Sequence, residues 1–152
     1  MATRKNRRKE SGEIEVTEDL LKDYRSMKDE LAETKYKLYH LDDNDAMIGN
    51  DVIFDYSTGQ PRPQSVVGYD CAKADRMKSM YGNRIKKLEE QMSAVEKYID
   101  GLPSSISRRV MGMFYLQGMT QKSISCTIHK SQAKVSRILT AELSKISKGG
   151  SE

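Results

Sequence analysis

The sequence predicts an all-α protein in which a long, coiled-coil-like helical hairpin is followed by a C-terminal helix-turn-helix. Apolar residues recur every three or four positions along two long segments, which is the period of a helix with one buried face. After Pro103, three shorter segments keep this period and are separated by Gly118 and by a turn at His129 and Lys130. The chain has 152 residues, a length that suits one domain or two small lobes.

Residues 1–16 are predicted to form a disordered basic arm. Within residues 1–12 only Glu10 offsets the cations, which are Arg4, Lys5, Arg7, Arg8 and Lys9. No apolar stretch follows them, which argues against a secretory signal. A disordered basic arm can contact DNA phosphates, and the alternative is a purely solvated tail.

Residues 17–102 are predicted to form the helical hairpin. Thr17 can cap its first helix, with acids in the first turn. The predicted apolar seam of the first helix is Leu20, Tyr24, Met27, Leu31, Thr34, Leu38 and Leu41. That of the second is Met77, Tyr81, Ile85, Leu88, Met92, Val95 and Ile99. The seams serve either as the core of one chain or as a contact with a second copy.

Between the two helices, residues 42–69 are predicted to be a long, partly ordered loop, because the segment contains glycines and prolines and has no helical period. The alternative is that residues 52–56 and 66–69 form short strands or an apolar patch that contacts a partner such as RNA polymerase. The carboxylates between Asp42 and Asp55 lack the spacing of a calcium loop, so no metal site is predicted.

Residues 103–147 are predicted to form the helix-turn-helix with a helix leading into it, and residues 148–152 a tail. Ser104 or Ser105 can cap the lead-in helix, which ends at Gly118. Thr120 and Ser131 are the predicted caps of the next two helices. Their predicted buried residues are Ile124, Ile128, Val135, Ile138 and Leu139. His129 occupies a turn position where glycine is usual, and histidine tolerates a positive φ better than most residues.

This pattern predicts binding to double-stranded DNA, since a helix-turn-helix places its second helix in the major groove. Arg108 and Arg109 on the lead-in helix, and Gln121 and Lys122 opening the next, are expected to face the phosphate backbone. The recognition helix and the turn before it are expected to contribute Lys130, Ser131, Gln132, Lys134, Ser136 and Arg137. Gln132 and Arg137 are the candidates for base edges, an amide for adenine and a guanidinium for guanine. The alternative is the end of a helical bundle with a solvated basic face.

The charge distribution supports DNA binding. Between residues 104 and 148 only Glu142 is acidic, whereas eight residues are basic: Arg108, Arg109, Lys122, Lys130, Lys134, Arg137, Lys145 and Lys148. The middle of the chain is acidic on balance. A polyanion is therefore attracted to both ends of the chain and repelled by its middle.

The segment from Arg108 to Leu143 resembles region four of bacterial sigma factors, with its lead-in helix before the turn motif. The order of the whole chain is similar to that of phage late-gene regulators of the RinA and ArpU type, as is the segment from Tyr56 to Gln64 that continues to Gly68, Tyr69 and Asp70. The resemblance implies activation of late phage transcription by binding upstream of packaging or lysis genes.

Other functional classes find little support in the sequence. It contains no Gly-rich phosphate loop and no nucleophile–base constellation, so a non-enzyme without cofactor is predicted. Cys71 and Cys126 are too few for a disulfide framework, and His40 and His129 are not at metal-ligand spacing from them. No apolar run is long enough to cross a membrane, and a cytoplasmic location is expected. The rival functions are a phage DNA-packaging adaptor of the small-terminase type, and a module that binds RNA polymerase without DNA.

Overall fold

The computed structural model describes residues 13–43 and 48–149. Within these residues the chain is mostly helical, as predicted, and it also contains one small antiparallel sheet. The helices are α1 (Glu18–Tyr39), α2 (Cys71–Asp100), α3 (Ser105–Met111), α4 (Gln121–Ile128) and α5 (Gln132–Gly149); the strands are β1 (Ile48–Asp55) and β2 (Arg62–Tyr69). Most of the predicted basic arm, residues 1–12, and the last three residues of the predicted tail lie outside the described residues.

The chain divides into two compact units. The first unit comprises Met1–Lys28 and Glu89–Glu152, and the second comprises Asp29–Leu88. Helices α1 and α2 contribute to both units, whereas the sheet belongs to the second unit and α3, α4 and α5 belong to the first.

The apolar core of the first unit is built on residues spaced by three and four along each helix. Its buried apolar residues are Leu21, Tyr24, Met27, Met92, Val95, Ile99, Leu102, Val110, Met111, Tyr115, Ile124, Ile128, Val135, Ile138 and Leu139. Most of the predicted seam residues here are buried, but Leu20 is only half-buried while its neighbour Leu21 is 0% exposed. Leu21 precedes Tyr24 by three residues and Leu20 precedes it by four, and both spacings place a residue on the same helix face as Tyr24. The structure buries Leu21 on that face rather than Leu20.

A partly buried hydrogen bond joins α1 to α2 in the first unit. The Tyr24 hydroxyl donates to Glu96 Oε1 at 2.5 Å. Burial and then this hydrogen bond raise the pKa of Tyr24 to about 12. The phenol therefore stays protonated and keeps donating to the carboxylate throughout the physiological pH range.

The second unit has a smaller core. Leu41 and Ala74 are buried, and Met77 and Tyr81 pack against them. Arg84 Nε donates to Glu30 Oε1 at 2.6 Å. These contacts join the end of α1 and the 3-10 turn at Leu41–Asp43 to the first half of α2.

Polar contacts at Asp42 add to this junction. Tyr69 Oη donates to Asp42 Oδ1 at 2.6 Å, and Lys78 Nζ lies 3.6 Å from the same oxygen. The hydrogen bond from Tyr69 and then the charge of Lys78 lower the pKa of Asp42. In turn, the hydrogen bond to Asp42 raises the pKa of Tyr69 to about 12. The end of β2 is thereby attached to the chain that follows α1.

The prediction of a long loop over residues 42–69 is wrong. β1 and β2 pair antiparallel in a register that runs from Ile48 opposite Tyr69 to Asp55 opposite Arg62. β-branched and aromatic residues in both segments favour strands, and a turn with Gly59 at φ +76° joins them. The predicted loop rests on the absence of a helical period, whereas the alternative of short strands at 52–56 and 66–69 is closer to the observed sheet.

We expect Leu21→Ala to lower the free energy of unfolding by about 2–5 kcal/mol, because it removes a fully buried side chain and leaves a cavity. The matched variant Leu20→Ala makes the same chemical change one residue earlier and should cost clearly less. Urea denaturation of both variants, followed by circular dichroism, measures the difference. Equal losses would contradict the assignment of Leu21 to the core.

Candidate nucleic-acid interface

The lead-in to the candidate interface is a helix with a widened last turn. Ser104 Oγ accepts a hydrogen bond from the Ser107 amide at 3.4 Å and caps α3. A π-helical turn, Gly112–Leu116, follows α3 directly. The helix ends at Gly118, which has φ +68°. The predicted cap region and the predicted end are both confirmed, while the π-helical turn had no recognised signal in the sequence.

A side chain from α1 lies against the turn at Gly118. The guanidinium of Arg25 is so close that a β carbon on residue 118 would overlap it. Arg25 is otherwise exposed. Glycine is therefore favoured here by its positive φ, and a β carbon would also require the flexible guanidinium of Arg25 to move aside.

Helix α4 starts and ends as the sequence predicts. Thr120 Oγ1 accepts a hydrogen bond from the Ser123 amide at 3.2 Å. His129 ends the helix in the left-handed conformation, with φ 55° and ψ 44°. The amides of His129 and Lys130 both turn back to the carbonyl of Ser125, which satisfies the helix end.

Helix α5 begins after a turn of three residues, and Ser131 Oγ accepts a hydrogen bond from the Lys134 amide at 3.2 Å. The predicted buried residues of α4 and α5 are all buried: Ile124, Ile128, Val135, Ile138 and Leu139. Helices α4 and α5 pack against each other, and α3 packs against α5. The polar residues between the buried positions are consequently turned to solvent.

The exposed side of this segment carries cations and no acid. Among the predicted site residues, the exposed ones are Arg109, Lys122, Lys130, Ser131, Gln132, Lys134 and Arg137, while Gln121 and Ser136 are half-buried. The sequence contains no acidic residue from 101 to 141. Glu142 follows on α5, but it is only 4% exposed. We call this exposed surface of the α4–α5 segment the basic face.

Glu142 is held inside the first unit. Its Oε1 accepts a hydrogen bond from Lys145 Nζ at 3.0 Å, and its Oε2 has no partner among the described residues. Burial and then the negative charge of Glu142 raise the pKa of Tyr98 on α2. The single carboxylate of this region is therefore directed into the protein and weakens the basic face little.

Arg108 does not share the exposed position of its neighbour Arg109. Its Nη1 donates to the carbonyl of Leu102 at 2.5 Å and to that of Pro103 at 3.5 Å. These carbonyls follow the C-terminus of α2, where a cation is favourable. The structure thus engages Arg108 in an internal contact, and a phosphate-contacting role for it stays a prediction.

Arg25 is a cation near the basic face that the sequence did not indicate. It lies beside Gly118, immediately before α4, although it belongs to α1. In the sequence Arg25 is one of three cations spaced by three residues, with Lys22 and Lys28. Nothing in this pattern distinguishes Arg25 from the two lysines. Only the packing of the chain brings it to the turn.

In the described ranges 13–43 and 48–149, no group of three or more His, Cys, Asp or Glu is placed to hold a metal ion. No helix in the same part of the chain is long and apolar enough to span a bilayer. In comparisons with known proteins, no family model, curated protein or solved structure matches this chain.

We expect Gly118→Ala to lower the free energy of unfolding by about 1–2 kcal/mol, because an alanine at a left-handed φ is strained. Gly82→Ala is the control, since Gly82 lies within α2 and an added β carbon meets nothing within 4 Å. There alanine should raise the free energy of unfolding by about 0.5–1 kcal/mol through helix propensity. Thermal and urea denaturation measure both; a loss at Gly82 or a gain at Gly118 would contradict the backbone assignment.

Proposed function

We propose that this protein is a sequence-specific DNA-binding transcriptional regulator in which α4 and α5 form a helix-turn-helix. The observation that carries the proposal is the basic face, where two helices joined by a left-handed turn expose cations and amides without an acid. A helix-turn-helix binds the major groove through such a short helix pair, with polar residues at the front of the second helix.

In this proposal α5 reads the bases. Gln132 is its first residue, and Arg137 lies beside buried Ile138 but is itself exposed. A glutamine amide pairs with adenine, and an arginine guanidinium pairs with guanine, each through two hydrogen bonds. Lys122, Lys130 and Lys134 then contact phosphates on either side of the reading helix.

The phosphate contacts extend to residues outside α4 and α5. Arg109 on α3 is exposed and remains a candidate. Arg25 is added to the proposal, because its guanidinium lies beside the turn that precedes α4. Arg108 stays a predicted phosphate contact that would first have to leave the two carbonyls after α2 to which its guanidinium is bonded.

We further infer that α1 and α2 form an antiparallel helical hairpin. In the first unit Tyr24 is bonded to Glu96, and in the second Glu30 is bonded to Arg84. Along α1 the bonded residue moves from 24 to 30, while its partner on α2 moves back from 96 to 84. This opposite order is that of antiparallel helices. The resemblance to phage late-gene regulators suggests that such a hairpin supports the regulator, and that the genes activated are late phage genes for packaging or lysis.

Selection from a random duplex library with the full chain tests the proposal directly. An enriched sequence motif, bound in a salt-dependent manner, is the expected result. Enrichment of no motif, together with binding of purified bacterial RNA polymerase, would instead favour a polymerase-binding module. Ring-sized oligomers in light scattering would favour the packaging adaptor.

We expect Arg137→Ala and Lys122→Ala to weaken DNA binding in different ways. Loss of a base contact at Arg137 should cost about 1–3 kcal/mol and relax the preference at one base pair. Loss of a phosphate contact at Lys122 should weaken selected and scrambled duplexes alike and reduce the slope of log affinity against log salt by about one. Fluorescence anisotropy at several salt concentrations separates the two. If Arg137→Ala changed neither affinity nor preference, α5 would not be the reading helix.

We expect Arg25→Ala to reduce the salt slope by about one without changing the sequence preference, because it removes a phosphate contact next to α4. Arg84→Ala is the matched control. Arg84 is paired with Glu30 in the second unit, and its removal should leave the slope unchanged. The same anisotropy titrations apply. Equal slopes for both variants would restrict Arg25 to packing against the turn.

A further inference from the structure

The first two turns of α5 direct two side chains away from the core. A helix turns by about 100° per residue, so Arg137, two residues from both Val135 and Leu139, points nearly opposite to these buried positions. Ala133 is two residues before Val135 and four before Arg137, so it lies on the same side as Arg137. Both are exposed. Ala133 and Arg137 are therefore the outermost side chains of this part of the helix.

Ala133 differs in chemistry from the exposed residues around it. The others all carry a side-chain group that can form a hydrogen bond: Ser131, Gln132, Lys134 and Arg137. Ala133 presents a methyl group alone, so its side chain cannot bind a phosphate or a polar base edge. Among the groups that line the major groove, the C5-methyl group of thymine is the apolar one. Thymine is therefore the base whose chemistry fits Ala133.

The surroundings of Ala133 favour close approach of DNA. Lys130 and Lys134 are exposed on either side of it, and the sequence has no acidic residue from 101 to 141 that would repel phosphates. A side chain as short as that of alanine also lets the backbone of α5 come near the bases. An alanine at this position thus combines an attractive electrostatic setting with an apolar contact surface.

The spacing along α5 limits where the thymine lies. With a rise of about 1.5 Å per residue, Ala133 lies about 6 Å before Arg137 along the helix axis. Successive base pairs of B-DNA are about 3.4 Å apart. The two side chains therefore span about two base-pair steps.

We propose that Ala133 is a specificity-determining residue that contacts the C5-methyl group of a thymine within about two base pairs of the guanine read by Arg137. This inference rests on the proposed function, because it requires α5 to enter the major groove. It adds a thymine to the preferred sequence. The recognition of this thymine is an apolar contact, distinct from the hydrogen bonds assigned to Gln132 and Arg137.

Replacement of thymine by deoxyuridine tests the contact, because it removes the methyl group and keeps the hydrogen-bonding edge. The duplex is the sequence selected by the full chain, and each thymine near the guanine whose preference Arg137→Ala relaxes is replaced in turn. At one of these thymines wild-type affinity should fall about threefold to fivefold, as expected for one methyl group. Ala133→Gly should bind the thymine and deoxyuridine duplexes equally. Fluorescence anisotropy measures the four affinities of this double-mutant cycle.

Ala141→Gly is the matched control. Ala141 is an exposed alanine of the same helix, about 12 Å beyond Ala133, and glycine lowers helix propensity at both positions. Ala141→Gly should keep the full response to deoxyuridine at the thymine in question. Circular dichroism confirms the fold of both variants.

Ala133→Gln gives a second readout that does not depend on glycine, because glutamine is a good helix former. Its longer polar side chain should exclude the thymine methyl group. Library selection with this variant should therefore lose the thymine from the motif and retain the guanine read by Arg137.

Three results would each overturn the assignment of Ala133: no response of the wild type to deoxyuridine, a response of Ala133→Gly as large as that of the wild type, or an Ala133→Gln motif that keeps the thymine. These results leave the proposed function standing, because the wild-type motif remains. Enrichment of no motif by the full chain would overturn both the proposed function and the contact at Ala133.

Discussion

The basic face depends on the burial of one side of each short C-terminal helix. Val110 of α3, Ile124 of α4 and Val135 of α5 are all 0% exposed. Because a helix places residues three and four apart on one side, burying these positions turns the residues between them to solvent. In α4 and α5 those residues are mainly cations, amides and hydroxyls. The same packing that stabilises the first unit therefore creates the surface proposed to bind DNA.

Two residues in the left-handed conformation keep these helices short enough to pack in this way. Gly118 ends the helix before α4, and His129 ends α4 itself. At Gly118 the positive φ favours glycine, and the flexible guanidinium of Arg25 occupies the space of a β carbon. At His129 a side chain is accommodated because it is exposed. The strain at His129 is offset by amides that satisfy the end of α4.

The burial of the acid and the exposure of most cations in the first unit support the proposed polyanion partner. Glu142 is buried with one oxygen unpartnered, an arrangement that costs stability, and Arg108 is bonded to carbonyls after α2. The remaining cations of the α4–α5 segment are exposed. In contrast, residues 41–70 contain six acidic residues and one basic residue, Arg62. The two segments thus differ in the sign of their charge.

The sequence by itself determined the local features that depend on neighbouring residues. The caps at Ser104, Thr120 and Ser131, the turn at His129 and the buried positions of α4 and α5 all follow from helix periodicity and from hydrogen bonds over three or four residues. The strands at 48–55 and 62–69 contain β-branched and aromatic residues, but a long segment without helical period is equally typical of a loop. Strand pairing joins residues far apart in sequence, so its signal is weaker than that of a helix.

Only the tertiary structure decided which of several similar residues takes each role. Leu21 is buried rather than Leu20, Arg108 is engaged internally while Arg109 is exposed, and Arg25 reaches Gly118 from a distant helix. The members of each set have the same chemistry and comparable helical spacing, so no local pattern separates them. The distinction comes from which side of a helix meets another element, and that depends on contacts between residues remote in sequence.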